Sequence, residues 1–221
     1  MGRVLRDNSL TAVLLVLFAL SIVGQSIAGA SEYDADQQDH GQSPVGYLGY
    51  LTTGHFIESV FENWESEFLQ MGLYVVLTAF LFQRGSAESK DPDGEEPVDE
   101  DPRQARDRKD VPWPVRRGGL VLKLYEHSLS SALFLLFILS FALHAASGAR
   151  EYSQEQLLHG GAAVSTLEYL TTARFWFESF QNWQSEFLSI AVIAVLSIFL
   201  RERGSPESKP VPASHCDTGA S

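Results

Sequence analysis

The sequence predicts an all-α membrane protein with four transmembrane helices, made by the tandem duplication of a two-helix unit. Three observations predict this class: long apolar segments, an internal repeat, and a polar linker between the two copies. The chain has 221 residues and a formal charge of −12. These overall values are ordinary for an acidic soluble protein, so the prediction depends on how the residues are distributed along the chain.

Two apolar segments are long enough to cross a bilayer. Residues 9–30 and 128–147 each hold about 20 residues without an acidic or basic side chain, the length that a helix needs to cross the hydrocarbon core. The first segment follows Arg3 and Arg6 and ends in small residues, a pattern that also fits a cleaved signal peptide. The second copy lies in mid-chain, where no amino-terminal signal can stand, and it favours a retained membrane helix for both segments.

The second and fourth crossings are predicted as continuations of amphipathic helices on the outer side. Residues 68–82 and 187–200 are apolar over only about 15 residues, which is short for a full crossing. Upstream of each run, apolar side chains recur at three- and four-residue spacing, as on one face of a helix. A full-length crossing therefore takes Trp64 and Trp183 to the headgroup level, where we predict them as interfacial anchors.

Paired threonines are expected to begin these amphipathic helices. Thr52 and Thr53 in the first copy, and Thr171 and Thr172 in the second, offer hydroxyl oxygens to the first free backbone N–H groups of a helix. No Glu or Gln follows at the position that a capping box requires. We therefore expect the cap to come from the threonine side chains alone.

The chain matches itself at an offset of 119 residues. Residues 9–90 align with residues 128–209 without a gap, and about 38 of 82 positions are identical. The shared stretches include YLTT, a motif that reads NWESEF in one copy and NWQSEF in the other, and the ends RGSAESK and RGSPESK. We predict a first two-helix membrane repeat at 1–90 and a second at 119–209.

Two polar segments lie outside these repeats. Residues 91–118 are rich in Pro, Asp, Glu and Arg, and residues 210–221 are similarly polar, so neither segment can bury enough apolar surface to offset the entropy of ordering. We predict a disordered linker and a disordered tail. Acidic residues surround the basic cluster at 103–109, and we therefore expect no nucleic-acid partner.

Lysine and arginine indicate the orientation in the membrane. They concentrate at the amino terminus, in the linker and in the tail, whereas the loops that join the crossings of each repeat are acidic. The positive-inside rule then places both termini and the linker in the cytoplasm. Each repeat begins on the same side, so the two copies are expected to be parallel repeats about an axis along the membrane normal.

The NW-SEF motif (Asn63 to Phe68 and its copy) supplies the candidate polar site. Asn63 and Glu67 lie four residues apart on one side of the predicted helix, and Asn182 and Glu186 repeat them. A carboxylate part-way into a bilayer is costly unless it has a partner, a wet cavity or the headgroup zone around it. Either the four side chains face one another across the pseudo-twofold axis, or they lie solvated at the headgroup level. The second interpretation is favoured because solvation there has a lower free-energy cost.

Four other polar positions were considered as ligands or bundle contacts. His40 and His159 each follow a glutamate by eight residues in the outer loops, a spacing that matches no tight metal motif, so we interpret both as turn histidines. Gln25 and His144 occupy equivalent positions near the outer ends of the first and third crossings. They hydrogen-bond across the bundle, extend the polar site or lie at the interface, and interfacial placement is the simpler interpretation.

A metal site common to both copies is excluded at one further pair. His55 precedes Glu58 by three residues and shares a helical face with it, but Arg174 replaces the histidine in the second copy. No nucleophile, phosphate-binding, dinucleotide-binding or metalloprotease motif occurs in the sequence. We expect no enzymatic activity, no catalytic residue, no cofactor and no metal.

Several long motifs resemble those of a known family. The stretches NSL at the first crossing, YLTTGHFIESVFENWESEFLQM before the second and RGSAESK at the end of the unit resemble a family of small bacterial integral membrane proteins known only as a domain of unknown function. The resemblance covers nearly the whole chain apart from the linker and the tail. It implies a multi-pass protein of the bacterial inner membrane and carries no activity, ligand or catalytic residue.

Two classes of function follow as expectations. The first is a structural or interaction role through the outer amphipathic, aromatic and acidic helices, with the lipid bilayer, a protein partner or a second copy of the chain in contact with them. The alternative is a small transporter or ion-binding membrane protein that uses the Glu67 and Glu186 pair. The second class requires the two carboxylates to converge on one site. A membrane-embedded enzyme would need clustered His, Glu and Asn side chains from both outer loops.

Overall fold

The chain folds into helices joined by turns. A computed structural model describes residues 2–219, and in that range it contains helices and no strand. The all-helical class predicted from the sequence is therefore confirmed. The α-helices are α1 (Gly2–Asp7), α2 (Ser9–Asp39), α3 (Gly46–Tyr50), α4 (Gly54–Phe80), α5 (Trp113–Arg117), α6 (Gly119–Glu126), α7 (Ser128–Leu158), α8 (Thr166–Tyr169) and α9 (Ala173–Phe199).

Three helices in the described part of the chain are long and apolar enough to span a membrane, namely α2, α7 and α9. Helix α4 has the same 27-residue length as α9, yet it is not one of them. In the apolar stretch, α4 carries Gln70 and Tyr74 where α9 carries the less polar Ser189 and Ile193. Three candidate spans are thus established, and the fourth crossing stays a prediction.

The long helices of the second half repeat those of the first. Helix α7 begins and ends 119 residues after α2, and both have 31 residues. Helix α9 begins and ends 119 residues after α4. The offset found in the sequence therefore also relates the helix boundaries.

Threonine caps begin both amphipathic helices, as predicted. The Oγ1 atom of Thr53 accepts a hydrogen bond from the Phe56 N–H at 3.2 Å, and Thr172 accepts one from Phe175 at 3.3 Å. The first threonine of each pair donates its hydroxyl back to a carbonyl of the preceding short helix. Each helix then continues without a break from its amphipathic turns into its apolar turns.

The chain forms two compact units that do not follow the repeat boundaries. The first consists of Met1–Glu62 and Phe141–Trp176, and the second of Asn63–Ser140 and Phe177–Ser221. Helices α4, α7 and α9 each contribute residues to both units. The domain boundaries predicted from the repeat stay a prediction.

Two matching aromatic clusters form the core of the first unit. The first cluster contains Ala30, Tyr33 and Tyr50. The second contains Ala145, Ala149, Tyr169 and Phe175. Tyr50 and Tyr169 occupy equivalent positions in the two copies, and both are completely enclosed. The two copies thus use the same tyrosine to pack their short helix against their long one.

Two equivalent glycines provide the space for these tyrosines. A Cβ atom on Gly29 would lie 2.2 Å from the hydroxyl oxygen of Tyr50, and one on Gly148 would lie 2.7 Å from that of Tyr169. Cβ atoms do not approach another heavy atom so closely, and the enclosed rings have little room to move. Glycine is therefore required at both positions.

The second unit contains the linker and the tail. Residues 91–118 hold turns, the 3-10 helix Pro97–Asp99 and α5. In the tail, the ammonium group of Lys209 donates hydrogen bonds to three backbone carbonyls at 2.9 to 3.2 Å, those of Ser214, His215 and Asp217. Disorder of the linker and the tail in solution stays a prediction.

We expect Gly29→Ala and Gly148→Ala each to lower the apparent melting temperature of the purified protein in detergent. The added methyl group forces a buried tyrosine to move, and overpacking of this kind costs about 1 to 3 kcal/mol. Gly24→Ala is the matched control, because no atom lies within 4 Å of a Cβ there and alanine favours the helix by about 1 kcal/mol. Circular dichroism at increasing temperature measures the change. Unchanged melting of both variants would contradict the close tyrosine packing.

Candidate functional site

The predicted polar site of the NW-SEF motif is divided between exposed and half-buried positions. Asn63 and Glu67 are exposed on α4, whereas Asn182 and Glu186 are half-buried on α9. The negative charge of the Glu67 carboxylate repels that of Glu186. The Asn182 amide donates to a backbone carbonyl one turn earlier on its own helix. An ion site at this glutamate pair stays a prediction.

The two predicted tryptophan anchors, Trp64 and Trp183, are half-buried. The indole N–H of Trp183 donates to Oε1 of Glu65 at 3.1 Å. Glu65 is completely buried, so the indole N–H of Trp183 is hydrogen-bonded to a carboxylate inside the second unit. The placement of the two tryptophans at headgroup level stays a prediction.

Gln70 links α4 to α9 in the same unit. Its side-chain amide donates to the backbone carbonyl of Glu186 at 2.9 Å and to the hydroxyl of Ser189 at 3.0 Å. Ser189 is the repeat equivalent of Gln70, so this hydrogen bond joins the same position of the two copies. A buried amide that makes both bonds holds the two helices in register.

A second buried polar cluster lies in the first unit. It contains Glu58 on α4, His144 on α7 and Tyr169 at the end of α8. Glu58 is 7 % exposed and His144 is 0 % exposed. The Tyr169 hydroxyl donates to Oε1 of Glu58 at 2.8 Å, and a carboxylate oxygen of Glu58 lies within 4.8 Å of a ring nitrogen of His144.

Close backbone packing positions this cluster. A Cβ atom on Gly54 would lie 2.8 Å from the carbonyl oxygen of Ser147 and 2.9 Å from the backbone nitrogen of Glu151. Glycine therefore allows the start of α4 to touch α7. One turn further along α4, the Glu58 carboxylate reaches into the space over Gly148, where a Cβ would lie only 2.4 Å from its Oε1.

Phe175 encloses the imidazole of His144. The two rings lie 4.8 Å apart between centroids and are inclined by 32°. His144 is therefore enclosed in the first unit, and its depth in the membrane stays a prediction. The equivalent residue, Gln25, makes a hydrogen bond to another helix, the alternative that the sequence analysis favoured less, since its amide donates to the Ser59 hydroxyl at 3.1 Å.

A third group of titratable side chains surrounds Tyr50 in the first unit. Its hydroxyl lies 3.1 Å from Nδ1 of His55, whose Nε2 is 3.8 Å from a carboxylate oxygen of Glu32. Burial, with smaller contributions from the charges of Glu32 and Glu151, raises the pKa of Tyr50 to about 12. The Tyr50 phenol therefore stays protonated at neutral pH and acts as a hydrogen-bond donor.

The interpretation of His40 and His159 as turn histidines agrees with their hydrogen bonds. Nδ1 of each ring lies 3.0 Å or 2.8 Å from the backbone carbonyl oxygen four residues earlier. A carbonyl oxygen can only accept, so Nδ1 carries the proton in both rings. The rings are exposed and lie 5.9 Å apart between centroids.

Reasoning from the sequence missed Glu58 and Glu65 as buried acids. It did not select Glu65, and it considered Glu58 only beside His55. The spacing of Glu58 and Glu65 indicates that both lie on the buried face of the helix. Seven residues separate them, and together with Phe61 and Phe68 they follow the three- and four-residue spacing of one helix face. That face is the one α4 buries.

Comparison with known proteins gives a family and no further relative. The family model for Domain of unknown function (DUF6766) matches residues 1–220. No curated protein and no solved structure matches the chain.

We expect Glu65→Leu and Trp183→Phe to destabilise the protein in a strongly non-additive way, because each substitution removes one partner of the bond. Loss of the indole donor leaves a buried carboxylate without one of its hydrogen bonds, and a bond to a charged group contributes about 1.5 to 3 kcal/mol. A double-mutant cycle on the melting of the purified protein measures the coupling. Trp176→Phe, which lies outside this pair, is the control. Additive effects of Glu65→Leu and Trp183→Phe would contradict a direct bond between the two side chains.

Proposed function

Since the chain belongs to DUF6766, a family of unknown function, we propose that it is a non-enzymatic, multi-pass integral membrane protein with a structural or interaction role. Its contacts are made by the outer turns of the amphipathic helices. The apolar helices α2, α7 and α9 indicate a lipid environment, and the proposal adds a protein partner or a second copy of the chain.

The proposed architecture has four crossings from two tandem repeats. Helix α4 is the fourth crossing, and its length of 27 residues corresponds to about 40 Å, more than the roughly 30 Å of a hydrocarbon core. Helix α4 contains polar side chains such as Glu65 and Gln70, which are buried inside the protein rather than turned outward. Buried polar groups of this kind are compatible with a membrane helix.

An exposed aromatic face on α9 is the observation that carries the proposed role. Trp176, Phe177 and Phe180 lie on consecutive turns at the amino-terminal end of α9, and Phe177 and Phe180 are 68 % and 56 % exposed. Aromatic side chains at such a position are typical of headgroup contacts and of protein interfaces. We refer to these three residues as the aromatic face.

The equivalent positions of α4 offer no such face. None of the three side chains there, Ile57, Glu58 and Phe61, is exposed. The second repeat therefore has exposed aromatic side chains at positions where the side chains of the first repeat are buried or half-buried. This asymmetry favours a specific contact at α9 over a general affinity of both repeats for lipid.

The alternative, a small transporter or ion-binding protein, has weaker support. The electrostatic interaction between Glu67 and Glu186 favours it. However, Asn63 and Glu67 are exposed, which agrees better with solvated side chains at the headgroup level than with an enclosed ion site.

The proposed location is the bacterial inner membrane, with both termini in the cytoplasm. The bacterial origin is implied by the resemblance of the sequence motifs, and the orientation by the positive-inside rule. The single cysteine of the chain, Cys216, is exposed in the tail and allows the orientation to be tested.

We expect Cys216 to resist a membrane-impermeant maleimide in intact cells and to react once the membrane is permeabilised, because the tail is proposed to be cytoplasmic. Ser43→Cys in a Cys216→Ser background is the control. Ser43 is exposed in the loop between α2 and α3, so this cysteine should react in intact cells. The opposite labelling pattern would reverse the proposed orientation.

Photo-crosslinking in cells tests the proposed interaction role. A photoreactive phenylalanine analogue at position 177 or 180 is expected to give discrete protein adducts, because both side chains are more than half exposed. The same analogue at Phe61, the half-buried equivalent of Phe180, is the matched control and should give none. The absence of protein adducts from both 177 and 180, with the variants inserted in the membrane at normal levels, would refute a protein contact at the aromatic face.

A further inference from the structure

We propose that helices α5 and α6 form a docking surface for anionic phospholipid headgroups, in the leaflet that holds the amino-terminal end of α7. We refer to this surface as the basic platform, and it consists of Trp113, Arg116, Arg117, Leu120, Lys123 and Leu124. The inference rests on the proposed membrane crossing of α7, and it does not involve the aromatic face of α9.

The basic platform leads directly into a candidate membrane span. Helix α6 ends at Glu126, and one residue, His127, separates it from the start of α7 at Ser128. Helix α7 is long and apolar enough to cross a membrane, and its residues 128–147 carry no acidic or basic side chain. A helix joined to the end of a span by a single residue lies within reach of the headgroups. Under the proposed orientation, these are the headgroups of the cytoplasmic leaflet.

Three basic side chains of the platform have no counter-charge in the described part of the chain. Arg116, Arg117 and Lys123 are all exposed. Within residues 2–219, their side chains form no ion pair and no hydrogen bond. Unmatched lysine and arginine side chains beside a membrane span are attracted by the negative surface potential of anionic lipids.

The basic residues of the linker differ, because acids neutralise them. Arg103 lies 3.3 Å from a carboxylate oxygen of Asp101 and 3.9 Å from one of Glu126, and Arg108 pairs with Glu100. Glu126 is the one acid of α6, so its pairing with Arg103 also reduces the negative charge beside the platform. The positive charge of the platform is therefore available to an external anion.

Exposed apolar side chains lie next to these charges. Leu120 is 80 % exposed and Leu124 is 74 % exposed, and their four-residue spacing places them on one face of α6, together with Lys123. Trp113, the first residue of α5, is also exposed. Basic and apolar side chains that occur together on short helices are typical of segments that lie in the membrane interface, where tryptophan is also favoured.

Buried residues and two glycines hold the platform in a defined conformation. Val115 of α5 and Leu122 of α6 are buried, so each helix has a side chain packed inside the second unit. Gly118 and Gly119 join the two helices with φ angles of 69° and 61°, in the left-handed region that glycine adopts readily. The surface is therefore ordered before lipid binds, which lowers the entropy cost of binding.

A lipid leaflet fits both parts of the platform. Phosphate groups of the lipid accept hydrogen bonds from the guanidinium and ammonium groups, while the leucine side chains reach the acyl chains beneath the headgroups. A free anion in solution would contact the basic side chains alone and would leave Leu120 and Leu124 in water. This combination favours an anionic lipid as the partner.

Lipid binding to the purified full-length protein in detergent tests the choice of headgroup. Native mass spectrometry measures bound lipid, with phosphatidylglycerol as the anionic probe and phosphatidylcholine as the neutral one. We expect phosphatidylglycerol to bind more tightly, and added salt to weaken its binding. Arg116→Gln combined with Arg117→Gln should weaken the binding of phosphatidylglycerol about fivefold for each charge removed.

A second double variant is the matched control for this measurement. Arg108→Gln combined with Lys109→Gln removes the same charge from the linker, and we expect it to bind phosphatidylglycerol as the wild type does. Equal affinity of the wild type for the two lipids, or equal loss of binding in the two double variants, would overturn the inference.

Spin labels measure the depth of the platform in a bilayer that contains phosphatidylglycerol. In a Cys216→Ser background, Leu120→Cys and Leu124→Cys each carry one nitroxide label on the reconstituted protein. We expect both labels to be more accessible to oxygen, which concentrates in the bilayer, than to a water-soluble nickel chelate. Asp107→Cys in the linker is the aqueous control, and Ile138→Cys, at an exposed position of α7, is the hydrocarbon control.

The hydrocarbon control separates failure of this inference from failure of the proposed membrane location. If the label at position 138 lies in hydrocarbon while those at 120 and 124 are as accessible to the nickel chelate as the label at 107, the platform does not contact lipid and the inference alone is refuted. If the label at 138 is itself accessible to the chelate, α7 does not cross the membrane, and both proposals fail.

Discussion

The close approach of α4 to α7 at Gly54 is the constraint on which the first unit depends. Without a side chain at that position, the backbone of α4 touches α7 directly, and the residue one turn later enters the space between the helices. That residue is Glu58. Gly148 receives its carboxylate, and Tyr169 donates a hydrogen bond to it. A buried acid, a tyrosine and two glycines thus form one interdependent set.

The same helix, α4, buries polar groups along its length. Glu58 accepts from Tyr169, Glu65 accepts from Trp183, and the third bond joins Gln70 to Ser189. Each bond satisfies a group that would be costly to leave unpaired in an apolar surrounding. This accounts for a helix that is as long as a membrane span and yet too polar to be recognised as one by hydropathy.

The two copies keep their framework and differ in their chemistry. Helix boundaries, threonine caps and the glycine–tyrosine contacts recur at the constant offset. The buried polar residues do not recur. In the other copy, Gln25 takes the position of His144, Phe177 that of Glu58, and Gln184 that of Glu65. The shared residues supply the packing in both halves of the chain, so the polar residues at the remaining positions can differ.

The sequence by itself determined the helical class, two of the candidate spans, the repeat and the threonine caps, because these depend on local composition and spacing. The third candidate span, α9, was also predicted from the sequence. Whether α4 is a fourth span depends on how its polar side chains pack inside the protein. Only the tertiary structure decided which polar residues are enclosed. Searching for residues kept in both copies selected Glu67 and Glu186, of which Glu67 is exposed. Burial of Glu58 and His144 depends on a contact between helices about 90 residues apart in the chain. Helical spacing can indicate which face of α4 is buried, but it does not indicate which helix covers that face.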